Sequence, residues 1–255
     1  MTNPTEILHL ASQYLAAANL SFVTPKEDDS HSNLGWGAEG KRLFTYDLSE
    51  DGLRLVLNLN YYSLDFVHPT EGEVASYPLS GARHLDVVNW VVRECAFMKL
   101  KGDYNYHFHY ELPYTAISDD FVFPSIETEV LEQLAIDRSI ADRLFTNLGS
   151  ELEAFSLPRI WPHHFDTGSL AIFNNGSIGY GMAIPDSMVD DYYFYVAGYK
   201  GHDSIDTLAL KPLKHGEWRS GSWNGAVIRN SENEKIVKEF LEEVTAIFKS
   251  QIEES

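Results

Sequence analysis

Hydrophobic and polar positions along the chain follow two periods, one typical of helices and one typical of strands. Asn3-Pro4 suits a helix start, and the apolar residues after it recur with the helical period until Asn19, which is expected to close this first helix. The same period recurs in three later segments, at 84–99, 125–148 and 233–250. In the last of these, one apolar stripe is formed by Val237, Leu241, Val244 and Phe248.

Two hairpins are predicted where strand-like alternation flanks a tight turn. The first joins the runs 41–48 and 53–60 through Asp51-Gly52, and the second joins 169–173 and 177–184 through Asn174-Asn175-Gly176. Asp-Gly and Asn-Gly tolerate the positive φ angles of short hairpin turns. Because hairpin strands pair antiparallel, we expect an α+β fold in which antiparallel sheets pack against helices.

The order of the predicted elements repeats along the chain. Strands, a turn-rich link and a helix occur in 31–112 and its surroundings and again in 157–250, which suggests two pseudo-repeated halves of one α+β unit. Ser125 is a candidate cap for the long helix at 125–148, which links the halves. We therefore expect residues 1–255 to fold as a single integrated unit.

Composition narrows the classes of partner. Among 255 residues, 38 acidic side chains exceed 19 basic ones, so the formal net charge is −19. Such a balance disfavours nucleic acid and anionic lipid as partners. The start of the chain lacks the pattern of a signal peptide, and no run approaches the roughly 18 apolar residues that a membrane span needs. The single cysteine, Cys95, lies in a helical apolar stretch and is expected in the core of a cytoplasmic protein.

Two short segments concentrate the side chains that can do chemistry. In "YNYHFHYELP", a strand would place His109 and Glu111 on one face and the aromatic residues on the other. In "WPHHFD", the same alternation would place His164 and Asp166 on one face and His163 on the opposite face. If the two segments meet, they form a set of two imidazoles and two carboxylates.

This set is open to three interpretations. His109, Glu111, His164 and Asp166 could ligate a divalent transition metal such as zinc or manganese, with Asp166 as fourth ligand or as a partner of a ligand. Without a metal, a histidine oriented by a carboxylate can act as a general base. Alternatively, the histidines and carboxylates satisfy the buried hydroxyl and N–H groups of an aromatic-rich sheet.

A further segment, "HSNLGW", precedes the first hairpin as "WPHHFD" precedes the second. A pseudo-twofold relation would bring both segments towards one cleft. His31, Asn33, Trp36 and Trp161 therefore join His109, Glu111, His164 and Asp166 as candidate ligand-binding residues.

Several motifs together resemble an uncharacterised family of bacterial proteins. The segments "HSNLGW", "HYELP", "WPHHFD", "SIGYGMAI", "YYFYV" and "WNGAV" occur here in that family's order, from His31 towards the C-terminal helix. The resemblance implies one shared fold and supplies no reaction. We expect a protein that binds a small molecule in a cleft lined by aromatic, histidine and carboxylate side chains. The alternatives are a metal-dependent enzyme of the hydrolase class and a structural or interaction protein whose polar cluster belongs to the core.

Overall fold

The structure, a computed structural model, describes residues 3–115, 117–230 and 233–253. These residues form four helices and two antiparallel sheets of five and seven strands, which confirms the predicted α+β class. The chain divides into two compact units. Unit 1 extends to Ile136 and includes Ile160–Phe165, and unit 2 contains Asp137–Arg159 and everything from Asp166 onwards.

Unit 1 combines two helices with the five-stranded sheet. Its strands follow each other in sheet order, and every neighbouring pair is antiparallel. In chain order the elements are α1 (Pro4–Phe22), β1 (Gly35–Gly37), β2 (Arg42–Phe44), β3 (Arg54–Asn58), β4 (Ser63–His68), β5 (Gly72–Pro78) and α2 (His84–Phe97). Cys95 of α2 is buried, as predicted, and burial raises the pKa of its thiol to about 12.

Helix α1 begins as the sequence predicts and ends differently. The Asn3 side chain accepts a hydrogen bond from the Thr5 backbone N–H, and Pro4 is the first helical residue. The helix continues past Asn19 to Phe22, so the prediction that Asn19 closes it was wrong. Nearly every residue from Thr5 to Asn19 is buried, polar ones included. A helix surrounded on all sides must satisfy its polar side chains internally, and this requirement shapes unit 1.

Both predicted hairpins are present. In the first, β2 pairs with β3 from Arg42 opposite Asn58 to Phe44 opposite Val56, and Gly52 in the turn has a φ of 85°. In the second, Phe173 pairs with Gly176 across the turn. The positive φ explains why the first turn carries glycine, since a side chain there would strain the backbone.

Unit 2 contains the seven-stranded sheet and its helices. The sheet order is β11-β12-β9-β8-β7-β6, with β10 paired to β9. The remaining elements are α3 (Thr128–Gly149), β6 (Arg159–Trp161), β7 (Asp166–Phe173), β8 (Gly176–Ala183), β9 (Tyr193–Lys200), β10 (Asp203–Ser204), β11 (Glu217–Arg219), β12 (Gly225–Arg229) and α4 (Glu234–Glu253). Residues 128–136 of α3 and 160–161 of β6 belong to unit 1. The predicted α4 stripe of Val237, Leu241, Val244 and Phe248 is buried in the unit 2 core, where it meets β8 and β9 side chains such as Tyr180 and Val196.

Helix α3 links the two halves of the chain, as predicted, although it begins at Thr128 rather than beside Ser125. The change of unit falls inside this helix, between Ile136 and Asp137. The two units do not coincide with the predicted halves 31–112 and 157–250, and the folding of 1–255 as one integrated unit stays a prediction. In the described part of the chain, no helix is both long enough and apolar enough to cross a membrane.

Candidate functional site

The segment Trp161–Phe165 is a turn, where the sequence pattern predicted a continuing strand. Strand β6 stops at Trp161, and the Phe165 N–H donates to the Trp161 carbonyl at 2.7 Å. The prediction that His163 and His164 point to opposite faces was wrong, because a tight turn lacks the pleat that separates neighbours. Their ring centroids lie only 4.4 Å apart. His163 is half-buried and His164 is exposed.

Phe165 ends this turn in a conformation that is unusual for an aromatic residue. Its φ is 60°, and its side chain is 1% exposed. Such left-handed backbone costs a residue with a side chain on the order of 1–3 kcal/mol, and it persists only where the surroundings enforce it. The ring of Phe165 stacks on His9 of α1 with centroids 5.0 Å apart and planes 5° from parallel. The buried stack therefore holds the strained residue in place.

Helix α1 also binds the backbone of the turn. The Pro162 carbonyl accepts two hydrogen bonds, from His9 Nε2 at 2.6 Å and from Gln13 Nε2 at 2.9 Å. Because a carbonyl can only accept, His9 carries a proton on Nε2. Its Nδ1 lies 3.3 Å from the Tyr114 hydroxyl, which donates to it when the ring is neutral. His9 and Gln13 thus clamp the turn from inside unit 1.

The tyrosine-rich segment from Tyr104 to Glu111 is irregular, so its prediction as a strand was wrong. Two of its tyrosine hydroxyls donate to α1. The Tyr104 hydroxyl donates to the Tyr14 carbonyl at 3.2 Å, and the Tyr110 hydroxyl donates to Gln13 Oε1 at 2.9 Å. The predicted alternation of burial nevertheless holds, because the aromatic side chains turn towards the protein and His109 and Glu111 are exposed.

His109 pairs with a carboxylate that the sequence pattern did not indicate. Its Nε2 lies 3.0 Å from Asp29 Oδ2, and its side chain is 54% exposed. His31 lies on the other side of the same carboxylate, with Nδ1 3.7 Å from Asp29 Oδ1. His31 itself is buried and accepts a hydrogen bond from the Lys26 backbone N–H at 3.2 Å. Asp29 thus takes the place beside His109 that the strand pattern assigned to Glu111.

The segment "HSNLGW" meets the residue before "WPHHFD" through one antiparallel bridge, while a pseudo-twofold relation of the two halves stays a hypothesis. Leu34 and Ile160 exchange two backbone hydrogen bonds of 2.8 Å each. Asn33 is buried and accepts from the Tyr46 hydroxyl at 3.0 Å, while Trp36 lies in β1 with 9% of its surface exposed. Asn33 and Trp36 are thus packed inside unit 1, and their contact with a ligand stays a prediction.

Asn19 is the residue of α1 that fixes this segment. Its side-chain amide donates to the carbonyls of Ser32 at 3.3 Å and Asn33 at 3.0 Å, and its Oδ1 accepts from the Tyr46 N–H at 3.0 Å. All of the amide's hydrogen-bonding directions but one are therefore used, which explains a buried asparagine in a helix.

Asp166 opens β7 in unit 2 and has a different environment. It is 7% exposed, and its Oδ2 accepts from the Tyr195 hydroxyl at 2.5 Å. Burial, together with this carboxylate, raises the pKa of Tyr195 far above its ordinary value, so the phenol keeps its proton and donates. The other carboxylate oxygen of Asp166, Oδ1, is buried without a hydrogen-bond partner among the described residues. Nearby, burial lowers the pKa of Arg138 to about 10, and the charge of Asp166 opposes part of that shift.

The four predicted metal ligands each lie beside residues outside the predicted set or are exposed. His109 lies against Asp29, His164 beside His163, and Asp166 against Tyr195, while Glu111 is exposed. Within residues 3–115, 117–230 and 233–253, no group of three or more histidine, cysteine, aspartate or glutamate side chains is arranged to hold a metal ion. Zinc or manganese binding by these residues stays a prediction for titration to test.

Sequence reasoning missed His9, Gln13, Asp29 and Tyr195. His9 and Gln13 are four residues apart inside an apolar helix, a spacing that places both on one face, so they offered a readable signal. Asp29 and Tyr195 gave none, since their partners lie 80 and 29 residues away in the chain.

The fold defines the class of this chain: an α+β protein with two antiparallel sheets. The chain matches no model of a protein family, and no significant match was found among curated proteins or solved structures. The resemblance drawn from the sequence motifs stays an expectation.

Proposed function

We propose that unit 1 binds a small molecule at the surface formed by Tyr110, Trp161, His163 and His164. The observation that carries this proposal is the turn itself. A buried aromatic residue is kept at a φ of 60° so that two neighbouring imidazoles face outward. Backbone strain that is over-determined by its surroundings is typical of ligand-binding and catalytic sites.

The chemistry of this surface suits a flat or ring-shaped ligand. The His163 ring lies 5.9 Å from Tyr110 and 6.0 Å from Trp161, centroid to centroid. Aromatic faces offer stacking area at little entropic cost, and imidazole nitrogens can donate or accept hydrogen bonds. The net charge of −19 supports a small molecule as the partner in preference to nucleic acid.

The alternative, a purely structural cluster, explains the buried polar groups behind the turn but not the exposed ones. His9, Gln13 and Tyr110 satisfy each other and the Pro162 carbonyl, as core polar groups must. That network leaves the exposed His164 unexplained. No specific observation favours the metal-dependent hydrolase. Elemental analysis, with zinc and manganese titration of the wild type and of His109→Ala, tests that alternative directly.

Histidine-ring NMR tests the proposal on the full chain. Benzoate, adenosine and glucose serve as probes for an aromatic acid, a heteroaromatic base and a pyranose. We expect at least one of them to shift the ring signals of His163 and His164 saturably. Loss of one ligand hydrogen bond in His164→Ala should weaken that binding several-fold, since such a bond contributes about 1 kcal/mol.

His107→Ala is the matched control, because His107 is an exposed histidine of the same unit. It should bind the probe as the wild type does. Equal shifts at His107 and His164, or no saturable shift with any of the three probes, would count against the proposed site.

A further inference from the structure

A groove of about 690 Å³ opens in unit 2, and none of its lining residues belongs to the surface proposed in unit 1. It lies where the segment after α3, the β7–β8 turn and the last turn of α4 meet. Its lining residues are Glu151, Leu152, Glu153, Ala154, Ile172, Phe173, Asn174, Asn175, Lys249, Ile252 and Glu253.

The groove exists because the segment after α3 pairs with only part of β7. Phe155 lies opposite Ala171, and the Ile172 N–H donates to the Ala154 carbonyl at 2.9 Å. Before Ala154 the chain is bent and continues no further along the strand. Ile172 is 60% exposed and lies on the face of β7 opposite to Ala171 and Phe173. Leu152 and Phe173 are half-buried against the unit 2 core and form the apolar floor of the groove.

The rim of the groove is acidic. Glu151, Glu153 and Glu253 face a single basic lining residue, Lys249. The Lys249 ammonium lies over the Phe173 ring, 5.9 Å from its centroid, and 3.8 Å from Glu253 Oε1. The protein thus already holds one alkylammonium group between an aromatic face and a carboxylate. This is the arrangement by which organic cations are recognised.

We propose that this groove binds a small organic cation, an amine whose ammonium group lies at Phe173 and Glu253 and whose apolar chain lies against Leu152. The volume falls in the range of roughly 300–1,000 Å³ that is typical of small-molecule sites. The carboxylates of Glu151, Glu153 and Glu253 outnumber the one lysine, so the groove attracts a cation. Because the ligand shares the position of the Lys249 ammonium, that lysine competes with it. The proposal is independent of the function proposed for unit 1.

The experiment uses the full chain and two probes of matched shape, hexylamine and 1-hexanol, followed through the amide NMR signals of Asn174 and Asn175. Hexylamine should give a saturable shift that weakens with added NaCl, because exposed charges are screened by salt. Removing the competing ammonium in Lys249→Met should tighten hexylamine binding about two- to fivefold, and Phe173→Leu should weaken it by a similar factor.

Lys238→Met is the matched control, since Lys238 also pairs with a glutamate one turn later on α4, at 3.3 Å, but does not line the groove. It should leave hexylamine binding unchanged. Three results would overturn the proposal: no saturable shift with hexylamine in wild type and Lys249→Met, equal binding of 1-hexanol, or the same affinity in Lys249→Met and Lys238→Met.

Discussion

Replacing Gly181 by alanine should destabilise unit 2 much more than the same change two residues away. A Cβ at Gly181 would lie 2.2 Å from Cζ and 2.4 Å from the hydroxyl of Tyr195. At Gly179, on the same strand and the same face, the nearest atom to a new Cβ is 3.9 Å away. The absence of a side chain at Gly181 is therefore what lets the Tyr195 ring lie across the sheet and reach Asp166.

The expected loss of unfolding free energy depends on whether the Tyr195 ring stays in place or moves. Overpacking a well-filled position costs about 1–3 kcal/mol. If the ring moves instead, the bond from the Tyr195 hydroxyl to the Asp166 carboxylate breaks, and a hydrogen bond to a charged group contributes about 1.5–3 kcal/mol. Either way, we expect Gly181→Ala to lower the free energy of unfolding by about 1–3 kcal/mol. Gly179→Ala should lie within about 1 kcal/mol of the wild type, and reduced freedom of the unfolded chain acts in its favour.

Urea unfolding, followed by circular dichroism and tryptophan fluorescence, measures both variants. A double-mutant cycle with Tyr195→Phe separates the two costs, because that variant lacks the hydroxyl and keeps the ring. In the Tyr195→Phe background, Gly181→Ala should cost less, by up to the energy of the lost hydrogen bond. Equal effects of Gly181→Ala and Gly179→Ala would refute the reasoning.

Three further predictions concern unit 1. Gln13→Leu removes a donor to the turn and the acceptor of Tyr110, so unfolding should become easier by about 1–3 kcal/mol and the His163 ring signals should shift. Asn19→Leu removes three buried hydrogen bonds and should cost about 2–4 kcal/mol in urea unfolding. Burial lowers the pKa of His84, only partly opposed by Asp119, so the unfolded chain binds its proton more tightly. Neutral His84 therefore stabilises the folded protein fully above about pH 6.5, and this stabilisation is lost as the pH falls towards the pKa of His84 in the folded state.

Each of these predictions has a comparison variant or a result that would contradict it. Asn105→Leu changes an exposed asparagine and should be nearly neutral, so an equally large effect would contradict the role of Asn19. His84→Gln keeps an acceptor for the Tyr14 hydroxyl, which lies 2.7 Å from His84 Nδ1, and removes the titrating ring. The difference in stability between pH 7.5 and pH 5.5 should shrink in this variant, and an unchanged difference would exclude His84 as its source. If the His163 signals do not shift in Gln13→Leu, the inference that Gln13 of α1 holds the turn is contradicted.

The sequence by itself determined the elements that depend on local pattern. The α4 stripe, the turns at Gly52 and Asn175, and the start of α1 at Asn3-Pro4 all follow from the period of apolar residues or from backbone preferences within a few positions. The antiparallel pairing of hairpins then fixed the α+β class. The sequence also predicted that the aromatic side chains between Tyr104 and Tyr110 turn towards the protein, because burial alternates there even without a strand.

Only the tertiary structure decided the partners in the candidate site. His109 pairs with Asp29, Pro162 is clamped by His9, and Asp166 pairs with Tyr195, across separations of 80, 153 and 29 residues. Strand periodicity carries no information about such pairs, because it describes only neighbours on one strand. The turn after Trp161 was hidden for a related reason. A phenylalanine at positive φ contradicts local preference and is held there by the His9 ring beneath it, so no local rule could predict it.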